Sequence, residues 1–406
     1  MCCTQRLNPP PDTAPPRSRN EVSRLIGVVQ CFIMTTYTDM LALKPLGDPL
    51  ADQVTAQLLD SGQVASTNHL FRLVTTADHD IPEGAPPVLR DYLAETRSFP
   101  EWTDWDRIRN IDAFFQYHQQ ASRAVLGTAG LVGTYLNPMG AKTLHATHSL
   151  DHPKRRLMQS SRLFVGMADK DAFTEHYSRL IPTCQKVRLV HSMIRQLQMR
   201  SGKWDAESDG MPVSQLYMYV ATLIFSVEML DAMDRIGIHP SPTERDGYYY
   251  AWRLIAHWLG VPEEPVPFPD TVDEATALWH SARDAGEWAA TDAGTVLTLD
   301  CIDLYEQHLP RGTKGLVPAF LRLTLTDRFA DMVHIPHSGY QFGTEMAAKV
   351  GGILSAQHAG RSLLVHEALK RIAEAASGVH HHAERTVVPY TEETEPQMSD
   401  HLGPIE

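Results

Sequence analysis

The sequence predicts an all-α fold, and three observations carry that prediction. No stretch sustains a period-two alternation of apolar and polar residues between hairpin turns. From Glu21 onward, apolar residues recur at three- and four-residue steps in one segment after another. The segments close on helix-stopping residues, as at Ser201-Gly202, Gly237 and Gly260.

The chain divides on composition into a flexible Pro-rich tail over 1–20, a single all-α domain over 21–377 and a loose acidic tail over 378–406. Within the domain, Ile26 to Thr36 is a mostly apolar run. Pro49 to Leu59 and Ala65 to Val74 read as short amphipathic helices. Pro82-Glu-Gly-Ala-Pro-Pro87 is a loop, and Val88 to Thr96 a further helix. Asp104 to Tyr117 and Ala121 to Val132 read as a helical pair ended by Asn137-Pro-Met-Gly140. Lys154 to Met167 and Asp171 to Met199 follow, with Pro182 placed to end, kink or restart the second. Between Pro212 and Gly237 lies a helix whose middle, Leu216 to Met229, is nearly all apolar. Glu228, Asp231, Asp234 and the short span make it a buried helix and not a membrane crossing. Thr243 to Trp258 carries Tyr248, Tyr249, Tyr250 and Trp252, and Pro262 to Pro269 is a stiff connector. Further helices are expected over about 271–285, 295–308, 316–334 and 345–376.

With 406 residues the chain can build a core large enough to enclose a cofactor. A formal net charge of −13 argues against nucleic acid, whose phosphates call for a basic face. The five cysteines (Cys2, Cys3, Cys31, Cys184 and Cys301) form no Cys-x-x-Cys pair, so reduced thiols are expected. The first residues show no apolar signal core, and a cytoplasmic location is the expectation. There is no Gly-x-Ser-x-Gly elbow, no Gly-x-x-x-x-Gly-Lys loop and no Gly-x-Gly-x-x-Gly after a strand. Serine hydrolases, P-loop enzymes and nucleotide oxidoreductases are thereby disfavoured. His145, His148 and His152 are spaced as zinc ligands can be, but Pro153 follows and no His-Glu-x-x-His is present; a solvated helix end is the plainer reading. Gly127 to Gly133 reads either as close helix packing or as a backbone surface against a flat ligand.

The stretch with the most chemistry is Lys186 to Arg195. As a helix it places Val187, Val190, Ile194 and Leu197 on one inward stripe, with His191 on the same stripe. Arg188 and Arg195 flank His191 along one edge. A neutral imidazole on an apolar wall beside guanidiniums suits a buried haem, which takes an axial nitrogen, an apolar slot and cations for its propionates. A hydrogen-bonded core histidine satisfies the same pattern, and the residues alone leave both readings open. A second stretch, Lys154 to Ser161, sets Arg156 and Ser160 four residues apart on one helical face. It reads as a basic solvated turn, or as a guanidinium and a hydroxyl over the open side of an iron.

Several segments together resemble one family. They are Val187-Arg-Leu-Val-His191-Ser-Met-Ile-Arg195, Trp204-Asp205, Met211-Pro-Val-Ser-Gln215, Phe225-Ser-Val227 and Asp234-Arg-Ile-Gly237. Asp48-Pro-Leu-Ala-Asp52, Pro86 to Leu93 and Arg155 to Ser160 lie upstream of them. The family is that of the latex-clearing proteins, which includes the fungal oxygenase that shortens the farnesyl chain of mycophenolic acid precursors. The resemblance covers most of residues 40 to 260. It implies a globin-like all-α bundle around b-type haem, with His191 as proximal ligand and Arg156 and Ser160 on the distal side. It also implies dioxygen as co-substrate and cleavage of isoprenoid double bonds. The absence of Cys-x-x-Cys-His fits a haem held without covalent links. Two departures stand out. Gln159 occupies the position where rubber-cleaving members offer a Lys to iron, and Gly133 to Gly140 carries no carboxylate where they carry a Glu. The expectation is therefore a haem-b oxygenase acting on an apolar or isoprenoid-like small molecule in specialised metabolism. Peroxidase-like chemistry, or a non-catalytic haem gas sensor or carrier, are the alternatives.

Overall fold

A computed structural model describes residues 35–71, 73–78, 80–146, 163–309 and 314–340. All belong to the unit Thr35–Glu406. The boundaries expected near 20 and 377, the helix expected over 345–376, and Arg156, Gln159, Ser160, His148, His152 and His380 to His382 lie outside the described residues. Among those described there is no β-strand, as the missing period-two pattern predicts.

The helices are α1 (Tyr37–Met40), α2 (Pro49–Asp60), α3 (Val64–Phe71), α4 (Pro87–Glu95), α5 (Trp105–Val125), α6 (Leu131–Leu136), α7 (Pro138–Ala146) and α8 (Leu180–Arg200). They continue as α9 (Ala206–Asp209), α10 (Gln215–Leu223), α11 (Met229–Arg235), α12 (Pro242–Trp258), α13 (Val272–Ala282), α14 (Asp292–His308) and α15 (Leu316–Met332). Their starts are written in local chemistry. Asp48, Asp104, Ser214 and Ser241 each accept a backbone N–H of the following first turn, and Pro49, Pro87 and Pro242 occupy first-turn positions whose N–H has no partner in the helix.

Two expectations about continuity are corrected. The pair expected to part at 118–120 is one helix: α5 passes through Tyr117 to Ala121 without interruption, because no Gly or Pro stands there. It runs on through a π-turn at Leu126–Gly130 into α6, and the break is a single residue, Asn137. The helix expected from Asp171 begins only at Leu180. Pro182 therefore falls in the first turn, where a missing N–H costs nothing, and α8 runs unkinked to Arg200.

The centre of the fold is the run α10, π-turn Ile224–Glu228, α11. Gln215–Arg235 has the length and hydropathy of a membrane span, yet 83% of that window is buried within the protein, as befits a core helix. α12 crosses α5 at Gly247, where a Cβ would lie 2.4 Å from the Asn110 carbonyl; only glycine allows that approach. Gly130 and Gly133 likewise serve helix packing. A Cβ at Gly133 would meet Ile224 at 2.9 Å and Trp288 at 3.0 Å, and one at Gly130 would meet Phe225 at 3.2 Å. α8 packs along α2, which sets up the ion pairs described next.

Candidate active site

A cavity of about 190 Å³ opens between α8, the α6–α7 corner and the core helix α10. The stripe on α8 faces it: Val187, Val190, His191 and Ile194 all line the space. Opposite stand Phe225, from the π-turn after α10, and Trp252 of α12, stacked at 5.1 Å and 21°. Phe164 closes on both rings, 5.2 Å from Phe225 and 6.2 Å from Trp252. The α6–α7 corner contributes Thr134, Tyr135 and Gly140. A π-turn widens a helix by one residue, so it can swing a side chain such as Phe225 into a position that a regular helix would not give.

The wall is almost wholly apolar in effect. None of the described lining residues is Asp, Glu, Lys, Arg or Cys, and His191, half-buried with its Nδ1 inside the protein, is their one imidazole. The hydroxyls of Thr134, Thr143 and Thr222 turn back onto helix carbonyls, at 2.7, 2.8 and 2.9 Å, and so present methyl groups outward. Tyr135 and Tyr217 add phenols to this wall.

Arg188 and Arg195 do not line the cavity. Arg188 forms a bidentate pair with Asp48, Nε to Oδ2 at 2.6 Å and Nη2 to Oδ1 at 2.8 Å. Arg195 donates from Nε to both oxygens of Asp52 at 2.9 Å and from Nη1 to the Val213 carbonyl at 2.6 Å. Both guanidiniums, expected beside a cofactor's carboxylates, are thus committed to α2 carboxylates. The reason is geometric. Residues 188 and 195 share an edge of α8, and that edge packs on α2, where Asp48 and Asp52 stand one turn apart.

Two local features accompany these pairs. Val213, on the cavity wall, sits at φ 47, a left-handed conformation that a β-branched residue avoids. It is held by Arg195 on its carbonyl and by Gln215 N–H donating to the Leu46 carbonyl at 2.9 Å. His257 has its pKa pushed down to about 4, first by burial and then by the Arg188 cation.

His145 is exposed at the end of α7 and is not among the cavity's lining residues. A different group, Glu228, Asp231 and His280, brings three potential metal ligands together. Its central carboxylate is already neutralised: fully buried Glu228 accepts from Arg235 at 2.8 Å and from Arg283 and Trp279 at 2.7 Å. That is the arrangement of a buried ion network.

The comparison with known proteins meets this geometry directly. A family model described as "ER-bound oxygenase mpaB/B'/Rubber oxygenase, catalytic domain" matches residues 115–349, more than half of the chain and all of the cavity's described lining residues. The chain belongs to that family. It is accordingly an oxygenase by family, an oxidoreductase on an all-α scaffold. Among its relatives, the Rubber oxygenase of Streptomyces sp. (strain K30) is 28% identical over 289 residues, 70% of this chain and 70% of that protein. The solved structure of Latex Clearing Protein in its closed state superposes with a TM-score of 0.70 at 24% identity, covering 81% of this chain and 90% of the other. The likeness read from short segments over 40 to 260 thus extends, as a family match, through α15.

Sequence reasoning found the α8 wall from its periodicity and pointed through the resemblance to the 133–140 corner, and it missed the rest of the wall. The α8 stripe was readable because its apolar residues recur at helical steps. Tyr217, Phe225 and Trp252 lie in helices apolar on most sides, so nothing in their spacing marks the face that meets the cavity.

Proposed function

We propose that this oxygenase depends on haem b and uses dioxygen to oxidise an apolar, isoprenoid-like small molecule, with His191 as the axial ligand. The observation that carries the proposal is His191 on an apolar cavity wall with no carboxylate or thiol among the described lining residues. That donor set suits a group needing one axial nitrogen and an apolar slot, and does not suit a hydrolytic metal centre, which takes three or more protein ligands. Haem, when bound, supplies the iron at which dioxygen is activated.

The chain's own residues would do the rest. Val187, Val190 and Ile194 offer the macrocycle an aliphatic surface beside the imidazole, and Phe225 and Trp252 exclude water from the opposite side. With their hydroxyls bonded to helix carbonyls, Thr134 and Thr222 offer little to hold water in the cavity. Arg156 and Ser160 are proposed, on the family resemblance, to polarise the oxidant; Arg188 and Arg195 are left out because Asp48 and Asp52 hold them. A small substrate in specialised metabolism, not polymer, fits the apolar space and the lack of a carboxylate among its described lining residues.

An absorption spectrum of the purified protein, as isolated and after dithionite with carbon monoxide, is the test. A Soret band that the His191→Ala variant loses, and that His145→Ala keeps, is the expected result. Full haem content with an unchanged spectrum in His191→Ala would remove the axial assignment. Product formed from peroxide with dioxygen excluded would favour the peroxidase reading, and carbon monoxide binding without any product the carrier reading.

A further inference from the structure

The cavity wall formed by Thr134, Tyr135 and Gly140 crosses the corner between α6 and α7, and this corner turns on one residue. Asn137, 2% exposed, leaves the helix with ψ 120 between Leu136 and Pro138. Its Oδ1 accepts the Gly140 N–H at 2.8 Å, capping the first turn of α7. Its Nδ2 donates to the Glu287 side chain at 2.8 Å and to the Glu287 carbonyl at 3.1 Å. Beside it, the Ala289 N–H donates to the Leu136 carbonyl at 3.0 Å. The other oxygen of Glu287 accepts the Tyr37 hydroxyl at 2.8 Å. One carboxylate therefore holds two donors, the first at the cavity corner and the second on α1, while neither Glu287 nor Asn137 lines the cavity.

The corner has little room to drift. A Cβ on Gly140 would meet the Tyr217 ring at 2.6 Å and the Thr134 carbonyl at 2.7 Å. A shift of the first turn of α7 thus presses on Tyr217, which borders the same cavity. Asn137 also has no spare orientation. Turning its amide over would set Nδ2 against the Gly140 N–H and Oδ1 against the Glu287 oxygens.

We propose that Glu287 is a positioning residue for the oxygenase site: acting through Asn137, it fixes the α6–α7 corner and so the stand of Thr134, Tyr135 and Gly140 against the substrate. The proposal rests on the proposed function only in taking this cavity as the reaction site. A carboxylate suits the task because both its oxygens accept and neither donates, so Asn137 and Tyr37 are served at once. Glutamine can keep the acceptor toward Asn137 and turn its own N–H₂ to the Tyr37 hydroxyl, which accepts as readily as it donates. Methionine, of similar length, offers Asn137 no comparable acceptor.

The test uses the full chain in four forms: wild type, Glu287→Met, Glu287→Gln and Tyr37→Phe. Amide hydrogen exchange reads the corner without any ligand. In Glu287→Met the Gly140, Ala141 and Ala289 amides should exchange about tenfold faster, the factor set by one hydrogen bond of ordinary strength. α8 and α12 should keep their protection, and Glu287→Gln and Tyr37→Phe should match the wild type. Turnover of squalene, a neutral polyprene probe, reads the site. Glu287→Met should raise KM about five- to tenfold with a smaller change in kcat, and Glu287→Gln should recover most of it. Unchanged exchange at Gly140 and Ala289 in Glu287→Met overturns the clamp. Faster exchange with unaltered kinetics overturns its role at the site, and a Tyr37→Phe variant as impaired as Glu287→Met reduces Glu287 to general stability. A wild type that binds no haem or leaves squalene untouched speaks against the proposed function, and the exchange comparison then judges the clamp alone.

Discussion

Replacing Arg188 with Met separates the place where the sequence puts its guanidinium, on a cofactor, from the place where the structure puts it, on Asp48. The Asp48 side chain is 6% exposed and that of Arg188 12%. Removing the cation leaves the buried Asp48 carboxylate with the Ala51 N–H at 3.3 Å. Breaking a buried pair from one side costs about 3–5 kcal/mol, because an uncompensated charge stays behind. Taking roughly 300 folded residues at about 2.1 cal/mol/K each, the unfolding entropy is about 0.6 kcal/mol/K, and the melting temperature falls by about 5–8 °C. The double variant Asp48→Asn/Arg188→Met removes both charges and keeps a good N-cap for α2, so it should recover all but about 1–2 kcal/mol. Calorimetric melts of the two single variants and the double one give the coupling energy, expected to be at least about 2 kcal/mol because the double variant costs less than Arg188→Met alone. The reasoning fails if Arg188→Met melts with the wild type and instead sheds its chromophore, since the guanidinium would then belong to the cofactor.

Four further outcomes follow from the same structure. His257 binds a proton in the folded protein only below about 4, whereas the unfolded chain binds one near 6.5; stability is complete above about pH 6.5 and falls by about 2–3 kcal/mol as pH drops from 6.5 to 4. Urea melts across that window should lose this slope in His257→Gln, and an identical slope would show that other groups carry it. At Val213, φ 47 penalises every side chain, so Val213→Gly should be more stable than Val213→Ala by about 1 kcal/mol, the reverse of the usual order, and thermal melts decide it. Glu228→Ala removes the acceptor shared by Arg235, Arg283 and Trp279 and should cost about 3–5 kcal/mol. Millimolar zinc should leave the wild-type melting temperature unchanged, and a rise would make Glu228, Asp231 and His280 a metal site after all.

The sequence by itself determined the fold class, most helix positions and the face of α8 that carries His191, because each is encoded in residues within a few turns of one another. Helical period, N-caps at Asp48, Ser214 and Ser241, and stops at Gly237 and Gly260 need no partner from elsewhere in the chain to be recognised. Short segments also sufficed to suggest the family, and the family match bears that out. Continuity was harder: Pro182 looks like a break until the helix start is known to be Leu180, two residues before it. What only tertiary structure decided are pairings across long stretches of chain. Arg188 lies 140 residues from Asp48, and Asn137 lies 150 from Glu287. A helical wheel places Arg188 and Arg195 on an edge of α8 without saying that α2 covers that edge. Nor does it say that the α6–α7 corner, Phe225 and Trp252 close the space before His191. Those facts depend on how amphipathic faces pack against one another, and several packings bury the same apolar stripe; which acceptor a charge finds is settled only when one packing is chosen.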